Sequence, residues 1–201
     1  MPGSAFLRGD RLTLRTIERD DAPFFERWHN DPRVRVPLGM EAPRNETQVE
    51  DSFENWFESD ESVNLLVCLD GNGEGDVYGD DVDEAEGDGH DTDVDDPEPI
   101  GAVSAKNVQY TRPELSYWVA PDSQGQGYAA EALELLVGYV FETYAVNGLW
   151  AQAYEYNDAS WRLLESLGFT HEGTMRGHRF VRGGYEDVVV YGLLREEWDG
   201  S

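Results

Sequence analysis

One cysteine, one lysine and no apolar run long enough to cross a bilayer distinguish this 201-residue chain. Cys68 alone forms no internal disulfide, which excludes a secreted, disulfide-stapled scaffold. Nothing approaches the roughly 20 consecutive apolar residues of a membrane helix. The stretch from Met1 to Asp10 lacks the basic and apolar regions of a signal peptide, so a soluble cytoplasmic protein with no membrane partner is expected. Positive charge is scarce: 15 basic residues, all Arg except Lys106, face 42 acidic ones, for a formal net charge of −27. Such a surface repels nucleic acid and anionic lipid, so neither is an expected partner. A hydrophobic fraction of 39% with six Trp is nonetheless too rich for a disordered acidic chain, and the length suits one domain, 1–201.

Abundant carboxylates with almost no lysine suit a coat that stays hydrated in concentrated salt, where screening relieves self-repulsion. A halophilic source is expected. The acid is also uneven. Residues 70–98 hold 14 acidic side chains and neither Lys nor Arg. Broken by Gly and without hydrophobic period, this segment reads as a solvated loop insertion within the domain. Its Asp88, His90 and Asp91 do not follow the calcium-loop pattern, and no metal is expected.

The remaining chain alternates strands and helices. Arg11–Thr16 alternates as a strand, Asp20 or Asp21 opens a helix running to Trp28, and 45–59 forms a second helix with Thr47 and Glu50 as a capping box. Val63–Leu69 and Ile100–Gln109 are strands either side of the acidic insertion; Cys68, in the first, is a small core residue. Glu114–Val119 is a strand, Tyr128 to Tyr144 a long helix, Leu149–Tyr154 a strand, and Asp158–Leu167 a helix stopped by Gly168. Thr170–Phe180 and Tyr185–Arg195 form a hairpin around Arg182, Gly183 and Gly184. Trp28, Trp56 and Phe57 read as core, and His29, His171 and His178 as structural or substrate-pocket residues.

Chemistry concentrates at SQGQGYAAEA, a glycine-rich turn between a strand and a helix. Such a turn aims backbone N–H groups at one point and adds the helix dipole, making an anion site that needs few cationic side chains. A nucleoside-triphosphate loop is excluded because no Lys follows the glycines. Gly125-Gln126-Gly127-Tyr128-Ala129-Ala130 matches the dinucleotide pattern, but Glu155, the nearest acid ending the following strand, falls later than the expected ~20 residues.

Coenzyme A is the third ligand. Gln124-x-x-Gly127-x-Ala129 resembles the Q/R-x-x-G-x-G/A motif of the GNAT superfamily of N-acetyltransferases, and Asn157-x-x-Ser160 with Leu163-Leu164-Glu165 and Leu167-Gly168-Phe169 resembles its second motif. Trp28, Asn30, Asp31 and Pro32, with Glu172-Gly173, Arg176, Gly184, Asp187, Leu193-Leu194 and Glu197-Trp198, are similar to the branch that acetylates ribosomal-protein N-termini. The resemblance spans nearly the whole chain outside the insertion. It implies an α/β (α+β) fold, a single domain on a mixed, mostly antiparallel sheet of about 6–7 strands, splayed between the fourth and fifth and flanked by about four helices.

The resemblance also implies an acetyl-CoA-dependent N-acetyltransferase acting on a primary amine, a protein N-terminus or a small molecule, with a homodimer as the assembly to test. Backbone groups near Trp118 and Val119 would pair with the pantetheine arm in the slot between Glu114–Val119 and Leu149–Tyr154. Gln124 and the amides of Gly125, Gln126, Gly127, Tyr128 and Ala129 would hold the pyrophosphate, with Asn157 and Ser160 completing the coenzyme site. Glu114 is the candidate base, and Ser160 would hydrogen-bond the departing sulfur. Relatives that protonate the thiolate with a Tyr carry it where this chain has Leu164, leaving Tyr117, Tyr154, Tyr156 or solvent as the proton source. A non-catalytic acyl-CoA-binding module, a nucleotide-dependent oxidoreductase and an acidic scaffold for basic partners are the competing readings.

Overall fold

The computed structural model describes residues 2–53, 57, 59–69 and 97–200. Among them, eight strands form one sheet: β1 Ala5–Arg8, β2 Leu12–Thr16, β3 Ser62–Leu69, β4 Glu98–Lys106, β5 Glu114–Val119, β6 Gly148–Tyr154, β7 Thr170–Val181 and β8 Gly184–Leu194. Five α-helices accompany them: α1 Ala22–Asn30, α2 Pro32–Arg35, α3 Glu46–Ser52, α4 Tyr128–Thr143 and α5 Asp158–Ser166. The strand order is β1-β2-β3-β4-β5-β6-β8-β7, with every neighbouring pair antiparallel except β5 and β6. The expected mixed α/β sheet is therefore present, one strand and one helix larger. β1 and α2 are four residues each, too short to show a hydrophobic period.

Alternating side chains divide the core. Leu65 and Val67 of β3 face α4, joining the fully buried Ala132, Leu133, Leu136, Val137 and Val140. Leu66 and Cys68 face α1 and α3, against Phe25, Val49 and Phe53. Each wholly buried Leu contributes about 1.5–3 kcal/mol relative to an exposed one, so α4 is fastened chiefly by its apolar face. Cys68 is completely buried, as a core residue should be, and Trp28 packs with Val34 and Ala120.

Local signals act where they lie in sequence. After α5, Gly168 adopts φ +86°, donating to Glu165 O while Phe169 N–H donates to Leu164 O, which closes the helix. Arg182 and Gly183 both have positive φ, the backbone of a two-residue turn matched to the twist of β7 and β8. The α3 capping box, by contrast, forms two residues before the expected one. Asn45 Oδ1 accepts from Gln48 N–H at 2.9 Å and Gln48 Oε1 from Asn45 N–H at 3.0 Å. The chain is still extended at Asn45 and already helical at Thr47, so the first acceptor in line takes the cap. Leu69 pairs with Glu98, so the acidic segment leaves from the end of the β3–β4 hairpin. Residues 70–96, with Asp88, His90 and Asp91, lie outside the described residues, as does Trp56.

Candidate active site

Strands β5 and β6 touch through only two residue pairs, Glu114 with Trp150 and Leu115 with Ala151, and then separate. Past Leu115 the inner edge of β5 has no strand partner among the described residues. Trp150 N–H donates to Pro113 O on this edge, whereas Ala120 N–H turns the other way, to Ile100 O of β4. Strand alternation then directs the backbone of Tyr117 and Val119 into the gap and that of Trp118 towards Ala102 of β4. Trp118 thus differs from the expectation for its backbone. Its indole instead stacks on Phe24, ring centroids 5.4 Å apart, with His29 at 6.3 Å. Val119 does face the gap, but its carbonyl accepts from Gln124 Nε2 at 2.9 Å, which folds the glycine turn back onto the strand end.

The gap opens into a cleft of about 1070 Å³ that reaches from the glycine turn to the β7–β8 hairpin. Glu114, Trp118, Val119, Gln124, Gly125, Gly127, Tyr128, Ala129, Asn157 and Ser160 all line it; Gln126 does not. Gly127 is the N-cap of α4 with φ +84°, and no side chain caps the helix. The first-turn N–H groups of a 16-residue helix are therefore left for a ligand in the cleft. Arg11 braces this turn. Its Nη1 donates to Gln126 O at 2.8 Å, its Nε to Glu131 Oε2 at 2.8 Å, and its guanidinium lies 5.1 Å from the Tyr128 ring centroid. The net charge favours a backbone anion site; Arg11 adds a cation beside that turn, and its separation of 115 residues from Gln126 hides the contact in the sequence.

Two groups of polar side chains meet the gap from opposite faces of the sheet. On the α1 side, Gln152 Nε2 donates to Glu114 Oε1 at 3.0 Å and so orients that carboxylate. On the α5 side, the Tyr117 hydroxyl lies 2.8 Å from Ser160 Oγ and 3.0 Å from Ser160 O. Burial pushes the Tyr117 phenol up to about 12, only partly offset by its bond to Ser160. Asn157 holds the N-cap position of α5 through its backbone, accepting from Ser160 N–H at 3.1 Å; its side chain makes no cap bond and faces the cleft. Leu164 is wholly buried in the core, so its position supplies no acid.

The outer end of the cleft is built from distant segments. Tyr154 and Tyr156 stack with centroids 5.1 Å apart, Tyr156 Oη donates to Val36 O at 3.1 Å, and Gly39, at φ +67°, passes close against the Tyr154 hydroxyl. These two tyrosines hold the segment after α2 over the cleft. Opposite them, a bulge lets Arg176, Gly177 and His178 face Asp187 alone, whose Oδ1 accepts from Gly177 N–H at 2.7 Å. The bulge brings His178, Arg179 and Phe180 to the cleft. Glu41 and Arg179 both bear on Tyr154, with opposite effects on its hydroxyl, while burial is the larger influence and raises it. Among the described residues no group of three His, Cys, Asp or Glu gathers as a metal site, and no helix is long and apolar enough to span a membrane.

Comparison with known proteins agrees with this architecture. The spermidine N-acetyltransferase of Vibrio cholerae, solved in complex with CoA and spermine, superposes with a TM-score of 0.74 at 20% identity, covering 94% of this chain and 98% of that one. The uncharacterized N-acetyltransferase p20 of Bacillus licheniformis is 26% identical over 193 residues, 95% of this chain and 97% of the relative. The ribosomal protein uS5-alanine N-acetyltransferase of Escherichia coli (strain K12) is 29% identical over 104 residues, 50% of this chain and 54% of the relative. Residues 11–170 match the acetyltransferase (GNAT) domain, well over half of the chain, and the protein is therefore an enzyme of the GNAT acetyltransferase family.

Proposed function

We propose that this chain transfers the acetyl group of acetyl-CoA directly to a primary amine. The observation that carries the reading is the joining, in one cleft, of the uncapped N-terminus of α4 with the unpaired inner edge of β5. Backbone amides at the glycine turn suit a pyrophosphate, and the gap is lined by the edge of a strand, which suits an amide-bearing pantetheine arm. Val119 and Tyr117 carry the edge contacts, in place of Trp118. Gly125, Gly127, Tyr128 and Ala129 supply the anion site, shaped by Gln124 and Arg11, with Gln126 contributing its carbonyl to that bracing.

An unprotonated amine enters from the α1 face and adds to the thioester carbonyl. The nitrogen's proton passes to Glu114, directly or through water, with Gln152 holding the carboxylate in place. The N–H of Tyr117 or Val119 in the gap stabilises the oxyanion. Collapse forms the amide and breaks the C–S bond; the electron pair leaves on sulfur, towards Ser160. The thiolate then takes a proton from solvent, to which Glu114 returns the one it received.

The acceptor is a protein N-terminus or a small amine. Similarity to the uS5-alanine enzyme favours the first; the likeness of fold to an enzyme complexed with spermine keeps the second open. A cytoplasmic setting, a halophilic source, a homodimer, and 70–98 as a solvated insertion in a single domain 1–201 complete the reading. Thermal shift in high salt with acetyl-CoA, CoA and NADH is the test. Stabilisation by the two CoA species, with acetylation of an alanine-initiated peptide or spermidine, is expected; stabilisation by NADH alone overturns it.

A further inference from the structure

The pair formed by Tyr117 and Ser160 contains three oxygens and two protons. Ser160 O accepts only, whereas the two hydroxyls each donate once and accept. If Tyr117 donates to Ser160 O (3.0 Å), the 2.8 Å contact between the hydroxyls requires Ser160 Oγ to donate to Tyr117, and Ser160 then offers the cleft lone pairs alone. If Tyr117 donates to Ser160 Oγ, the serine proton is released to point into the cleft. Both arrangements use the same heavy-atom positions, so changing between them needs only rotation of two O–H bonds. Tyr117 is half-buried, packed against the core on the α5 side of the sheet, and both it and Ser160 line the cleft.

We propose that Tyr117 is a positioning residue that switches Ser160 from hydrogen-bond acceptor to donor as negative charge develops on the coenzyme sulfur. The inference rests on the acetyl-CoA reading of the cleft. When the thioester C–S bond breaks and its electron pair moves to sulfur, Tyr117 turns its proton from Ser160 O to Ser160 Oγ, and the Ser160 proton turns to the thiolate. No proton is transferred: both hydroxyls keep theirs, and the thiolate is later protonated by solvent. Tyr117 therefore does not replace the acid missing at Leu164. With its phenol held far above neutrality, it remains a donor throughout the working range. A Ser160 without Tyr117 lies free to satisfy itself on the helix backbone, as first-turn serines do.

The test reads the sulfur itself and needs no acceptor. The ionisation of bound coenzyme A is followed by thiolate absorbance in wild type, Tyr117→Phe, Ser160→Ala and the double variant, with desulfo-coenzyme A as the blank. The expected result is a thiol midpoint higher by roughly one pH unit in Tyr117→Phe, an equal rise in Ser160→Ala and no further rise in the double variant. Tyr117→Phe keeps the ring that packs the core, so an unchanged circular dichroism spectrum accompanies the rise. A midpoint unmoved by Tyr117→Phe, or rises that add in the double variant, overturns the switch alone. Failure of the wild-type chain to bind coenzyme A overturns both the switch and the acetyl-CoA reading beneath it.

Discussion

Gln152 and Glu114 lie on adjacent strands, Glu114 in the first of the two β5–β6 residue pairs and Gln152 just past the second, and the amide of Gln152 donates to the carboxylate of Glu114 at 3.0 Å. The contact places an oriented carboxylate just before the strands part. Glu114→Gln keeps the size and the strand but removes the carboxylate proposed as the base. Turnover should fall by about 10²-fold or more, with acetyl-CoA affinity within twofold of wild type. Gln152→Ala should cost less, about tenfold in kcat, because the carboxylate remains but is no longer held. Steady-state kinetics with acetyl-CoA and CoA binding by calorimetry check both; unchanged turnover in Glu114→Gln removes it from the mechanism.

Gly127→Ala should weaken coenzyme binding about tenfold, the equivalent of ~1.4 kcal/mol. An L-residue at φ +84° is strained by roughly 1–2 kcal/mol, and the new Cβ would lie 3.3 Å from Arg11 Nη2. Gly125→Ala, at φ +75° with open space around it, meets only the backbone strain and should do less harm. Calorimetric titration of both variants with CoA gives the comparison, and equal losses would mean that the Arg11 contact is immaterial.

Gly39→Ala should act at the other end of the cleft. Its Cβ would collide with the Tyr154 hydroxyl at a positive φ, so the segment between α2 and α3 must shift. The acceptor KM should rise several-fold while the acetyl-CoA KM is unchanged, since the glycine turn lies elsewhere in the cleft.

His29 contributes a pH dependence to stability. Burial, and then the nearby charge of Arg44, hold its imidazole below the ordinary 6.5. Below that value the unfolded chain binds the proton more readily than the folded one, so stability is full above about 6.5 and declines as pH falls towards the lowered folded value. Urea unfolding from pH 7.5 to 5 should show His29→Gln with a flatter profile than wild type over this window. Parallel profiles would show that His29 is not the group responsible.

The formal charge of −27 makes folding dependent on salt if the acidic coat is an adaptation to it. The urea midpoint should rise steadily from dilute buffer to molar KCl. An unchanged midpoint contradicts the halophilic reading.

What could be read along the chain was conformation decided within a few residues. The glycine turn, the Gly168 stop and the Arg182–Gly183 turn are each set by local φ preference and short hydrogen bonds, and each forms where the spacing placed it. The α3 cap shows how narrow that margin is, since Asn45 and Thr47 both have a suitable acceptor and only the path of the chain into the helix chooses. Side-chain partnerships in the cleft were hidden because they join residues 38 and 43 positions apart, in Gln152–Glu114 and Tyr117–Ser160. Nothing in the spacing of either pair signals a contact.

By itself, then, the sequence determined the charge, the alternation of strands and helices, and the glycine turn that marks an anion site, because composition and nearest-neighbour preferences act without knowledge of the fold. Only the tertiary structure decided which backbone groups of β5 face the gap, that Arg11 braces the turn, and that the Ser160 hydroxyl meets a half-buried tyrosine. Those outcomes depend on strand parity and on which distant segments pack together, and both follow from burying one shared core.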